Sequence, residues 1–108
     1  MTNLQEKATE AQIQRGILDY LGYRNIFHWR NNTGSFVAEY KGKTRYVNFG
    51  AKGSPDIFAL VDGELFGIEV KRDKGIQNIN QKEYEVEFVR NGGFYILARS
   101  IDDVSKVI

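Results

Sequence analysis

The chain contains no cysteine, a single histidine, a single proline, and no apolar run approaching the ~18 residues that a membrane-spanning helix needs. Without thiols there are no disulfides, no thiol nucleophile and no thiolate metal site. With His28 alone, most histidine-based metal and triad chemistry is removed as well. The opening MTNLQEKATEAQ has no basic start followed by an apolar stretch, so it does not read as a secretory signal, and the expectation is a soluble intracellular protein. Carboxylates, lysine and amides are what remain for chemistry.

What is present fits one domain, residues 1–108, with 42% hydrophobic and 27% charged residues. A single domain of this length has an expected radius of gyration of about 13 Å. The formal net charge of +1 conceals a polarity along the chain. Between Arg24 and Lys52, six bases (Arg24, Arg30, Lys41, Lys43, Arg45, Lys52) stand against the lone acid Glu39, a net +5. From Glu83 onward five acids stand against three bases, a net −2. A basic face is therefore available for a polyanion.

Apolar residues at Ile13, Ile17 and Leu21, with Leu18 beside them, predict a helix over about residues 9–21, ended by Gly22. Thr2 with Gln5 and Thr9 with Gln12 both fit a capping box, so two starts are open. Residues 26–30 read as a short strand, with Trp29 in the core and His28 at the surface, and Asn31-Asn32-Thr33-Gly34 as loop. Residues 36–40 and 44–49 alternate around Lys41-Gly42-Lys43, predicting a hairpin with a basic tip. Ile57 to Val61 is a continuous apolar run, as for a strand covered on both faces, and Asp62-Gly63 turns it back onto residues 65–71. A second helix starts at the N-cap Asn78 and stops at Gly92-Gly93; a strand over 94–98 and a short helix capped by Ser100 with Asp103 follow. Helices packed on a mixed sheet, an α/β fold, are the consequence.

If Asp62-Gly63 is a two-residue turn, Val61 faces Glu64 and Asp56 faces Glu69. That makes Asp56 and Glu69 a non-hydrogen-bonded pair, with roughly 4.5–5.5 Å between Cβ atoms. Lys71, two residues beyond Glu69, shares the face. Either Lys71 merely neutralises the carboxylates, or a three-residue loop separates them, or they form an all-oxygen cation site. The apolar neighbours of Glu69 favour the last, because a buried carboxylate must be paired or hold a cation, and oxygen donors suit Mg²⁺ or Mn²⁺. Glu10 lies only about 20° around the helix from Ile17, so it either aims at the same place or serves the helix dipole. Gln81 shares a face with Tyr84 and Phe88, and is either a site residue or the third member of the cap begun by Asn78.

Gly53-Ser54-Pro55-Asp56 followed by Ile68-Glu69-Val70-Lys71 resembles the PD-(D/E)XK nuclease signature. With Glu10 in a leading helix, the Gly75 spacer and Gln81 opening the next helix, the pattern is similar to the VRR-NUC branch, the virus-type replication and repair nucleases, over nearly the whole chain. The stretch from Arg30 to Gly34 is also family-like. The resemblance implies a restriction-endonuclease-like mixed sheet flanked by helices in αβββαβ order, in a stand-alone protein of bacterial or phage-infected cytoplasm. It further implies a phosphodiesterase in which Asp56, Glu69 and the Val70 carbonyl hold Mg²⁺ or Mn²⁺, with Glu10 contributing directly or through water. Lys71 would position the nucleophile or stabilise phosphoryl charge, and Gln81 would orient water or contact phosphate.

Phosphate contacts are expected from Arg30, Lys41, Lys43, Arg45 and Lys52, and from Arg72 and Lys74 just past the catalytic strand. A four-way junction needs two cuts and one copy carries one site, so a C2 homodimer acting on branched DNA is the expectation. A flap- or nick-directed endonuclease and a non-catalytic branched-DNA-binding module are the alternatives. Gly50-Ala51-Lys52-Gly53 also matches the GXXG loop of KH domains, but that loop joins two helices, and here Pro55 and an apolar strand follow.

Overall fold

The computed structural model describes residues 7–31 and 34–108. The Thr2/Gln5 cap and the loop residues Asn32 and Thr33 lie outside the described residues. Helix α1 (Glu10–Tyr23) begins at Thr9, where both halves of the capping box form: the Thr9 hydroxyl accepts from the Gln12 N–H at 3.1 Å and the Gln12 side chain accepts from the Thr9 N–H at 2.9 Å. Gly22 does not end it. The helix continues to Tyr23, and Asn25, at φ 56°, takes the left-handed exit instead, a conformation that asparagine tolerates better than most residues.

Six strands follow the helix in two sheets. Strands β1 (Phe27–Arg30), β4 (Ile57–Val61), β5 (Glu64–Val70) and β6 (Phe94–Ala98) form one mixed sheet in the order β1-β4-β5-β6. The first three are mutually antiparallel, and β6 returns parallel to β5 after helix α2 (Ile79–Arg90). Among the described residues, strands β2 (Gly34–Tyr40) and β3 (Lys43–Phe49) pair only with each other. Their turn is the two residues Lys41-Gly42, both at positive φ, so Lys43 sits in the strand opposite Tyr40 rather than in the tip. Because this ribbon stands away from the sheet, the radius of gyration is 16.3 Å and the longest dimension 53 Å, larger than chain length alone implies.

The core lies on one face of the four-stranded sheet. Ile13, Ile17 and Leu21 of α1 pack with Ile57 and Ala59 of β4, Ile68 and Val70 of β5, Ile96 and Ala98 of β6, and Val104 of α3 (Ile101–Ser105). Fully burying one such aliphatic side chain stabilises by about 1.5–3 kcal/mol. The Ser100 hydroxyl makes no cap bond to α3; Asp103 instead accepts from the Arg99 N–H at 2.8 Å, one residue further back.

On the opposite face α2 packs less deeply, with no fully buried residue. Phe88 fills space that only glycine leaves: a Cβ on Gly67 would stand 3.2 Å from its ring and one on Gly93 2.4 Å. Helix α2 lies toward β6, so the β1 side of this face stays open. Trp29 is consequently 42% exposed, while His28, turned toward the α1 face, is half-buried with Nδ1 2.7 Å from the Ile26 carbonyl. The alternation along β1 is as predicted, but the covered face is the other one.

Candidate active site

The Asp-Gly turn sets the geometry. Asp62 and Gly63 adopt φ 50° and 82°, a type I′ turn, and the β4–β5 register runs from Val61 opposite Glu64 to Ile57 opposite Ile68. One further step brings Asp56 and Glu69 together at the open end of the sheet. Asp56 precedes β4 and bends inward, its Oδ2 accepting from the Val70 N–H at 2.7 Å. Glu69 is 2% exposed, and its two oxygens have different surroundings. Oε2 accepts from Gln81 Nε2 at 3.0 Å and lies 3.7 Å from the Lys71 ammonium. Oε1 is buried with no hydrogen-bond partner among the described residues.

A buried carboxylate oxygen without a donor is costly when ionised. Burial first, then the neighbouring Asp56 charge, push the Glu69 carboxyl up to about 8 despite Lys71. Burial raises the Asp56 carboxyl too, outweighing the Val70 N–H that favours its charged form. Lys71 therefore does not by itself offset the burial of the two carboxyls, whose charged forms both stay disfavoured. Glu10, exposed in the first turn of α1, is near enough that its charge raises both groups. An ion pair between Lys7 and Asp73 ties the segment before α1 to the loop after β5. Among the described residues no three His, Asp or Glu side chains are grouped closely enough to hold one ion.

Gln81 resolves its two sequence readings by fulfilling both. Its Oε1 accepts from the Asn78 N–H at 2.9 Å and its own N–H donates to Asn78 Oδ1 at 2.9 Å, completing the capping box of α2. With Oε1 held in the cap, Nε2 is the end presented to Glu69. Cap chemistry thus orients an amide at the cluster.

The loop carrying Asp56 is held from two sides. A Cβ on Gly53, at φ 79°, would meet the Asn80 carbonyl oxygen at 2.3 Å, so only glycine lets the loop press against the first turn of α2. From the other side Asn31 Nδ2 donates to Ser54 Oγ at 2.7 Å and to the Pro55 carbonyl at 2.9 Å, while its backbone N–H donates to the Asp56 carbonyl at 2.7 Å. Sequence reading placed Asn31 in a loop and in a family-like stretch without fixing a role for it. Its partners are 23 and 24 residues away, and nothing local signals them.

Beyond Lys71, the Arg99 guanidinium binds the carbonyls of Arg72 at 2.9 Å and Gly75 at 2.7 Å, ordering the loop that carries the exposed Arg72 and Lys74. Arg30, at the end of β1, is near enough to Asp56 to favour its charged form. Lys52 is exposed in the loop before Asp56, and Lys41, Lys43 and Arg45 are exposed on the β2–β3 ribbon. The basic residues expected to contact phosphate thus fall into a group on segments adjoining Asp56 and Lys71 and a group on the ribbon.

Comparison with solved structures gives one match of the same overall size: a structure described as "VRR_NUC domain" superposes with a TM-score of 0.63 at 17% identity, covering 93% of this chain and 95% of the other. The fold is that of a VRR-NUC domain. No protein-family sequence model matches the chain, and no curated protein does. The likeness is one of fold, a mixed sheet flanked by helices. No helix among the described residues is long and apolar enough to cross a membrane.

Proposed function

We propose that the protein is a Mg²⁺- or Mn²⁺-dependent endodeoxyribonuclease acting at the Asp56–Glu69–Lys71 cluster. The observation that carries the reading is Glu69 Oε1, buried and without a partner beside a second carboxylate whose charged form is also disfavoured. Such a pair fits a hard divalent cation, and Mg²⁺ commonly uses one or two carboxylates plus substrate phosphate. Asp56, Glu69 and the Val70 carbonyl would hold it, with Glu10 contributing directly or through water. Bound there, the ion supplies Lewis-acid polarisation of the scissile phosphate and acidifies a water.

The chain's own residues supply the rest. Lys71, only 12% exposed at its side chain, is a fixed cation that can orient the attacking water or stabilise charge on phosphoryl oxygens. Gln81 holds Glu69 Oε2 through Nε2 and can present its remaining amide hydrogen to water or phosphate. The exposed Arg30, Lys52, Arg72 and Lys74 would bind the backbone near the cut, and the exposed Lys41, Lys43 and Arg45 of the ribbon would add phosphate contacts. The substrate we favour is branched DNA such as a four-way junction, cut by a C2 homodimer with one site per strand.

A panel of four-way junction, flap, duplex and single-stranded DNA, incubated with wild type and Asp56→Ala with and without Mn²⁺, tests this. Cleavage is expected from wild type with metal only, strongest on the junction. Activity retained in Asp56→Ala would remove the site assignment; preference for flaps or nicks would replace the substrate. Equal binding with metal or chelator and no nicking at all would leave a DNA-binding module rather than an enzyme.

A further inference from the structure

The sheet face that α2 leaves open carries an aromatic cluster with no part in the chemistry above. Phe27 and Trp29 stand two residues apart on edge strand β1, 68% and 42% exposed, with ring centroids 5.8 Å apart at 60°. Trp29 also lies against Phe58, its register partner on β4, at 5.6 Å and 32°. Phe58 is backed in turn by Phe88 at 6.0 Å. The cluster is therefore packed from beneath and open above. Leu60, opposite Phe27, extends it at 40% exposed.

Glu69 follows Gly67, the register partner of Phe58, by two residues of β5, so by strand alternation the cluster and the Glu69 carboxylate occupy the same face, about 7 Å further along the strand. We propose that Trp29 and Phe27 form a stacking platform for unpaired nucleobases, holding a single-stranded segment of DNA beside Asp56 and Glu69. This rests on the nuclease reading and specifies what that site recognises. Aromatic faces stack on any base, and a backbone leaving the platform toward Asp56 passes into the reach of the Arg30 and Lys71 charges. A second copy of the chain is the other candidate occupant. The exposed parts of Phe27, Trp29 and Leu60 amount to on the order of 300 Å², whereas a stable dimer buries about 800 Å² per partner. That area suits one or two bases.

Trp29 is the only tryptophan, so its emission reports on the platform alone. The full chain in EDTA, titrated with a short oligodeoxythymidine, should show saturable quenching. An abasic oligomer of equal length should bind roughly 5- to 150-fold more weakly, without quenching. By anisotropy of a labelled oligomer, Trp29→Leu should weaken binding similarly and Trp29→Tyr should restore most of it. If Trp29→Leu does not fold, the wild-type comparison of base-bearing with abasic DNA decides alone. Equal affinity for the two oligomers, emission indifferent to DNA, or emission that shifts with protein concentration without DNA would each overturn the platform, the last in favour of a second copy. Wild type that cleaves without stacking refutes only the platform; wild type that stacks without ever cleaving refutes only the nuclease reading.

Discussion

Replacing Glu69 by glutamine should make the metal-free protein more stable at alkaline pH, the reverse of what losing an acidic residue from an ion pair ordinarily does. The folded protein holds the Glu69 proton up to about pH 8, whereas an unfolded glutamate releases it near its ordinary value of 4.5. Between those values the folded state binds more protons than the unfolded, so stability is fully present below about 4.5 and is lost as pH rises toward 8. Each pH unit of that window contributes at most about 1.4 kcal/mol. Discounted for water reaching the Lys71 side, we expect about 2–3 kcal/mol over the whole window. At about 4–8 °C per kcal/mol for a chain of this size, that is a difference on the order of 10 °C in Tm. Thermal unfolding in EDTA at pH 5 to 9, read as Glu69→Gln minus wild type, should rise from near zero to that difference. Subtraction removes the other titrating groups, except that Asp56 is coupled to Glu69, so the midpoint belongs to the pair. A difference that stays flat, or a wild type more stable at pH 8 than the variant, would refute the assignment of a buried, uncompensated carboxyl.

Divalent metal should act on the same group from the other side. Mn²⁺ binding should release protons at pH 7, by calorimetry in buffers of different ionisation enthalpy, and tighten as pH rises to 8; binding without proton release would place the ion elsewhere. Gln81→Glu keeps the cap acceptor but removes the donor to Glu69, and should cost about 1–3 kcal/mol at pH 8 in EDTA, with Mn²⁺ recovering part of it. Asn31→Ala removes both side-chain bonds to the Asp56 loop, and should cost about 1–3 kcal/mol and lower kcat at saturating metal; unchanged cleavage would show that the loop holds itself. Gly67→Ala puts a Cβ 2.8 Å from Pro55 Cγ and 3.2 Å from the Phe88 ring, and chemical denaturation should register an overpacking cost of about 1–3 kcal/mol.

Much of the candidate site was readable because its chemistry is local. The β4–β5 register follows from a two-residue Asp-Gly turn, and counting back from it reaches the Asp56–Glu69 pairing without a tertiary contact. The Asn78–Gln81 cap spans three residues, and its orienting effect on the amide needs only α2 and the end of β5. Local patterns mislead where a nearby residue competes or where the deciding contact comes from far along the chain. Gly22 resembles a helix stop, yet α1 ends at Asn25's left-handed turn. Trp29 is apolar and alternates correctly, yet the helix that could cover its face lies over β6.

Turn type, strand period and helix caps are set by residues within a few positions of one another, so the order of elements, the pairing of the two carboxylates and the inventory of an all-oxygen site follow from the sequence by itself. Burial is set by what arrives from elsewhere in the chain. Only the tertiary structure buried the unpartnered Glu69 oxygen, joined Asn31 to the Asp56 loop, set the β2–β3 ribbon apart and left Trp29 in the open. Each depends on desolvation or on contacts between segments far apart in sequence, which no local periodicity encodes.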